Sequence, residues 1–132
     1  MLQAKDIMTK EVVIVWPETS VKEALELMLA KEISGIPVVK RDMTLVGVVT
    51  EKDLIRLCFE PGSIKRKTVK EFMTQPVVHF DENENMEDIC KCLNVVHFRR
   101  VPVTKEDKLV GIVSRPDVIR YILSVNSQEV NV

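Results

Sequence analysis

The chain has 132 residues, 45% of them hydrophobic and 30% charged, with a formal net charge of −1. That length allows one domain with a real core, and the near-neutral balance argues against a general nucleic-acid binder, so any anion site must come from local arrangement. No apolar run approaches the roughly 20 residues of a membrane span, Met1 to Asp6 lacks an apolar signal core, and the three cysteines read as reduced thiols, so the expectation is a cytoplasmic protein.

In chain order, Val12-Val13-Ile14-Val15 is a short β-branched run that reads as a buried strand stopped by Pro17. Ser20 opens a helix with Glu23 as its capping-box partner, and Val21, Ala24, Leu25 and Met28 follow the spacing of one buried stripe. Gly35 ends that region. Ile36-Pro37-Val38-Val39 and Leu45-Val46-Gly47-Val48-Val49 then predict a hairpin around the polar turn Arg41 to Thr44. Thr50 caps a further helix to about Cys58, with Leu54, Ile55 and Cys58 facing inward.

The second half repeats this order. Ile7-Met8-Thr9 returns as Phe72-Met73-Thr74, and Ile36-Pro37-Val38 as Val101-Pro102-Val103, both 65 positions on. Gly47-Val48-Val49-Thr50-Glu51-Lys52-Asp53 returns as Gly111-Ile112-Val113-Ser114-Arg115-Pro116-Asp117, 64 positions on. The one-residue slip falls at Arg41 to Thr44 against Glu106 to Lys108, where a turn can absorb it. The second helical stripe is Met86, Ile89, Cys90 and Leu93, capped by Asn85 with Asp88. Strands at Val101 to Thr104 and Leu109 to Val113 follow, then a helix from Arg115 to about Ser124. The expected fold class is therefore α/β (α+β): two pseudosymmetric β-α-β-β-α repeats packed through their sheets. The boundaries are residues 4–58, a linker at 59–68, residues 69–123, and a flexible tail at 124–132.

Thr50-x-x-Asp53 and Ser114-x-x-Asp117 carry the chemistry. One reading is a helix N-cap with an acid in the first turn. The other is a nucleotide site, in which the hydroxyl and helix-start N–H groups take phosphate oxygens and the acceptor-only carboxylate takes a ribose diol. Gly47 and Gly111 would then let a ligand approach the backbone. The two readings are compatible, since they use neighbouring donors.

Met8-Thr9, the Ile36-Pro37-Val38-Val39 block and the Gly47 to Asp53 block, in that order and duplicated, make the chain resemble a tandem pair of cystathionine β-synthase (CBS) domains, a Bateman module, from about Ala4 to Leu123. The resemblance implies no catalysis. It implies binding of AMP, ADP, ATP or S-adenosylmethionine between the repeats, in two composite clefts. One would combine Thr50 and Asp53 with Val77, Val78, Phe98, Arg99, Arg100, Val101 and Pro102. The other would combine Ser114 and Asp117 with Val12, Val13, Ile33, Ser34, Ile36 and Pro37. Arg115, a cation at the start of its own helix where it opposes the macrodipole, is read separately as a further ligand contact there. Backbone groups at Val13 and Val78 would read the base edge.

Arg99-Arg100 stands where the first repeat has Ser34-Gly35, and a guanidinium fork matches phosphate oxygens, so the Thr50/Asp53 cleft is expected to hold phosphorylated adenosine better. Cys90 and Cys92 lack a second ligand pair for a metal, and His79 and His97 read as surface or strand-end histidines rather than catalytic ones. Two functions compete. One is a stand-alone sensor of adenine nucleotides that regulates a separate protein in trans. The other is a ligand-free homodimeric scaffold. The resemblance implies a homodimer under both, through leftover apolar helix faces such as those around Leu27, Leu57 and Tyr121.

Overall fold

The structure is a computed structural model describing residues 2–95 and 99–130; His97 and Phe98 lie outside the described residues. It is a mixed helix-and-strand fold of two repeats, and its contacts divide into two compact units. One unit is residues 13–77, and the other joins the amino-terminal residues through Val12 to everything from Val78 onward.

In the 13–77 unit, Val15 makes one parallel bridge to Val38, through its N–H to Pro37 O at 3.1 Å and its carbonyl to Val39 N at 3.0 Å. The strand expected over Val12 to Val15 thus contracts to a single residue. The chain turns at once: Trp16 N–H donates to Thr19 Oγ1 at 2.9 Å, and Pro17 has no N–H to continue a ladder. Helix α2, Val21–Lys31, starts where Ser20 Oγ accepts the Glu23 N–H at 3.1 Å. Val21, Ala24 and Met28 are buried along it, and Leu25 packs against the same core. Strands β1 (Gly35–Val39) and β2 (Leu45–Thr50) pair antiparallel.

Thr50 leads into helix α3, Glu51–Ile55, which tightens into a 3-10 turn over Arg56–Cys58. That tightening corrects the expected inward face. A 3-10 turn stacks residues three apart rather than four, so Leu57 follows Leu54 into the core, while Ile55 is 64% exposed and Cys58 is exposed.

In the other unit, helix α1 (Ala4–Ile7) precedes strand β3 (Phe80–Asp81), which runs parallel to β4 (Arg100–Lys105); β4 pairs antiparallel with β5 (Lys108–Ser114). Helix α4, Met86–Val95, is capped as expected, with Asn85 Oδ1 accepting the Asp88 N–H at 2.9 Å. Met86, Ile89 and Leu93 are buried with Ala4, Phe80, Val101, Val103 and Val113. Helix α5 spans Arg115–Val130, beyond the expected end near Ser124 and into the stretch read as a flexible tail. No glycine or proline interrupts that stretch, and each added residue gains one backbone hydrogen bond.

The hairpin turns account for the one-residue slip. Glu106 and Asp107 both have positive φ, 49° and 68°, giving a two-residue turn that matches strand twist. The first hairpin instead uses a longer turn closed by Met43 N–H to Lys40 O at 2.8 Å, with Met43 at φ 74°.

The compact units do not coincide with the sequence repeats. Val69 and Phe72, which open the second repeat, are buried in the 13–77 core. Ala4, which opens the first, is fully buried in the other. The leading segment of each repeat is exchanged.

The residues expected at a dimer surface are partly buried. Leu27 and Leu57 lie against one core and Tyr121 against the other. The exposed large apolar side chains include Leu29 on α2, Phe59 after the 3-10 turn, and Ile119, Ile122 and Leu123 on α5.

Candidate functional site

Each candidate carboxylate closes a capping box. Thr50 Oγ1 accepts the Asp53 N–H at 3.2 Å, while Asp53 Oδ2 accepts the Thr50 N–H at 2.9 Å and the Thr50 hydroxyl at 3.0 Å. The helix-cap reading therefore holds for this pair. A third donor comes from the exchanged segment: Thr74 Oγ1 donates to Asp53 Oδ1 at 2.9 Å. A carboxylate offers about four lone-pair positions, so three are engaged among the described residues.

The second pair is built the same way. Asp117 Oδ2 accepts the Ser114 N–H and hydroxyl, both at 2.8 Å, and Ser114 Oγ accepts the Asp117 N–H at 3.3 Å. Thr9 Oγ1, also from an exchanged segment, donates to Asp117 Oδ1 at 3.1 Å. Here a fourth donor is present: Arg120 Nη2 lies 2.8 Å from Oδ1. Asp117 is 4% exposed, whereas Asp53 is half-buried.

Thr9 and Thr74 were not among the expected site residues. Their signal was present, since the Met-Thr pair is duplicated, but nothing in its spacing says which carboxylate each threonine meets. The two glycines also serve a different purpose from the expected ligand approach. A Cβ on Gly47 would fall 2.7 Å from Met73 Sδ, and one on Gly111 would fall 2.5 Å from Met8 Sδ and 3.0 Å from Thr9 O. The space over each glycine is filled by the exchanged methionine.

The remaining expected site residues divide between the units. In the 13–77 unit, Ile36 and Pro37 are buried, and Val13, Ile33, Ser34 and Val77 are partly buried. In the other, Val101 and Pro102 are buried, Val12 is partly buried, and Val78, Arg99, Arg100 and Arg115 are exposed. Ser34 O accepts the Glu51 N–H at 2.9 Å, and Arg99 O accepts the Arg115 N–H at 3.2 Å, the same contact in each repeat. These carbonyls tie the residue before each Ile-Pro-type strand to the start of the helix that follows its hairpin.

Duplicated serine/threonine–aspartate boxes, each behind a glycine strand and braced by a threonine, define the class of protein: a tandem-repeat module with paired hydroxyl–carboxylate sites. The CBS domain pattern matches residues 4–60 and again 69–124. The chain belongs to the CBS domain family.

Among relatives, it is 33% identical over 150 residues to the CBS domain-containing protein CBSX1, chloroplastic, of Arabidopsis thaliana, covering 91% of this chain and 64% of that one. It is 31% identical to the CBS domain-containing protein YhcV of Bacillus subtilis, covering 89% and 84%. The chain spans 42% to 64% of the length of three of the curated relatives it matches. Among solved structures, CBSX2 in complex with AMP superposes with a TM-score of 0.83 at 34% identity, covering 96% of this chain and 99% of that one. The CBS domain pair of MJ0100, in complex with 5′-methylthioadenosine and S-adenosyl-L-methionine, gives a TM-score of 0.75 at 26% identity, covering 92% and 96%.

Proposed function

We propose that the chain is a non-catalytic regulatory module that binds an adenine nucleotide (AMP, ADP or ATP) or S-adenosylmethionine, and that it controls a separate protein in the cytoplasm. The observation that carries this is the pair of preset hydroxyl–carboxylate boxes. A buried or half-buried carboxylate already oriented by three donors is a stiff acceptor for a ribose diol, and neighbouring hydroxyls serve its oxygens. Two similar chains, CBSX2 and the MJ0100 pair, hold adenosyl ligands in their crystals. Ser114 and Thr50 contribute the hydroxyls; Asp117 and Asp53 contribute the carboxylates. The base-enclosing set remains part of the proposal: Val12, Val13, Ile33, Ile36 and Pro37 for one ligand, and Val77, Val78, Phe98, Val101 and Pro102 for the other. Ser34, Arg99, Arg100 and Arg115 complete the two sets, with the arginines toward phosphate.

A thermal-shift panel tests this. A nucleotide at about 100 times its Kd stabilises the native state by about 2.7 kcal/mol. A rise in Tm with AMP, ADP, ATP or S-adenosylmethionine, and none with GTP, is expected. No rise with any adenosyl compound would sink the reading.

A second reading, a ligand-free homodimeric scaffold, draws support from two features. The carboxylates already spend most of their acceptor capacity internally, and Phe59 is 86% exposed, with Ile119 and Leu123 at 55% and 64%. Light scattering after Leu123→Glu with Phe59→Ser separates the two: loss of the dimer with nucleotide binding retained assigns those faces to assembly alone.

A further inference from the structure

We propose that Arg120 is an internal latch on Asp117, so that the two hydroxyl–carboxylate boxes accept ribose unequally and the Asp53 box is the tighter. The proposal rests on the reading that these boxes bind an adenine nucleoside.

Both boxes have an arginine three residues after the aspartate, Arg56 after Asp53 and Arg120 after Asp117. The two side chains go to different partners. Arg56 lies with its guanidinium carbon 4.3 Å from the centre of the Phe72 ring. Its Nη2 donates to Glu71 O at 3.0 Å, and its Nε is 3.4 Å from Glu60 Oε1. Those contacts hold it away from Asp53. The matching position to Phe72, 65 residues earlier, is Ile7, which has no π face to receive a guanidinium. The matching position to Glu60, 64 residues later, is Ser124, which has no charge. Arg120 therefore lacks both side-chain anchors of its counterpart and turns back to Asp117 at 2.8 Å.

The consequence follows from acceptor capacity. At Asp53, among the described residues, one lone-pair position of Oδ1 stays open, and a ribose hydroxyl can donate there without displacing anything. At Asp117 the equivalent position is taken, and a hydroxyl can enter only when Arg120 leaves. The Arg120 side chain is 69% exposed while that of Asp117 is 3% exposed, so the arginine can swing into water and the latch is reversible. Weakening is modest, on the order of three- to tenfold, because one partner is largely solvated.

Calorimetric titration of the full chain with AMP, and separately with adenosine, tests this. The wild type is expected to show two classes of site, with the tighter abolished by Asp53→Asn and the weaker by Asp117→Asn. Arg120→Ala should tighten the weaker class about three- to tenfold and leave the tighter one unchanged. Ile7→Phe, which supplies the missing ring while keeping the arginine, should do the same; circular dichroism confirms that both variants fold. A weaker class that is unmoved or further weakened by Arg120→Ala would overturn the latch, as would a tighter class that maps to Asp117. Absence of AMP and adenosine binding in the wild type and every variant would instead overturn the ribose reading, and the latch with it.

Discussion

Thr9 Oγ1 donates to Asp117 Oδ1 at 3.1 Å across 108 residues of chain, and Thr74 reaches Asp53 in the same manner at 2.9 Å. Each candidate carboxylate is thus braced by a hydroxyl that the opposite repeat encodes. Removing the hydroxyl leaves the carboxylate one donor short. Asp117 is nearly fully buried, so Thr9→Val is expected to cost about 1–3 kcal/mol; Thr74→Val should cost less, because half-buried Asp53 can recruit water. Urea denaturation with an unchanged m-value checks both. Equal costs would mean that burial does not set the difference.

The methionine over each glycine gives a second expectation. Gly111→Ala places a methyl 2.5 Å from Met8 Sδ and 3.0 Å from Thr9 O. The thioether can bend away, but the backbone carbonyl cannot retreat without loosening the Thr9–Ile112 bridge. A loss of about 1–3 kcal/mol is expected. Adding Met8→Ala should recover part of it, since residues in direct contact couple by about 0.5–3 kcal/mol. Strict additivity of the two changes in denaturant melts would contradict the contact.

The second hairpin holds two side-chain-bearing residues, Glu106 and Asp107, at positive φ. Glycine adopts that region without steric cost. Asp107→Gly is therefore expected to stabilise the protein by about 0.5–1 kcal/mol, net of the entropy that glycine adds to the unfolded chain. A raised Tm checks this. Destabilisation would show that the aspartate side chain has a compensating role in the turn.

Glu18 carries an electrostatic perturbation with an identifiable cause. A hydrogen bond from the Arg41 guanidinium, 2.8 Å away, holds its carboxyl below the ordinary range. Arg41 also lies over the Trp16 ring, 4.1 Å from its centre. A lowered folded-state pKa means the pair contributes to stability above the usual carboxylate range and loses that contribution as pH falls through the folded value. In Arg41→Ala, NMR titration should find Glu18 ionising at higher pH than in the wild type. An unmoved titration would assign the shift elsewhere.

Much of this was legible in the residues. The stripes Val21-Ala24-Met28 and Met86-Ile89-Leu93 emerged as buried, and the one-residue slip between repeats became two hairpin turns of different length. The capping boxes were legible as well, because a hydroxyl three residues before an acid has one local use. What sequence periodicity could not reveal was partnership. Self-similarity shows that Met8-Thr9 and Met73-Thr74 are equivalent, but not which glycine strand each covers. The inward face of Thr50 to Cys58 differs from the expectation for another reason: a change from α to 3-10 geometry moves the core-facing position from Cys58 to the partly buried Leu57 without changing the residue pattern. Helix α5 outran its expected end because nothing in its last turns stops it.

The exchange of leading segments makes the covalent order and the thermodynamic order disagree. Ala4 is sealed in a core otherwise formed from Phe80 onward, and Val69 with Phe72 completes the core of the earlier residues. Severing the chain between them would yield two fragments, each missing a plug and each carrying the other's. Such fragments should stay unfolded apart and regain structure only when mixed, as a reconstituted whole.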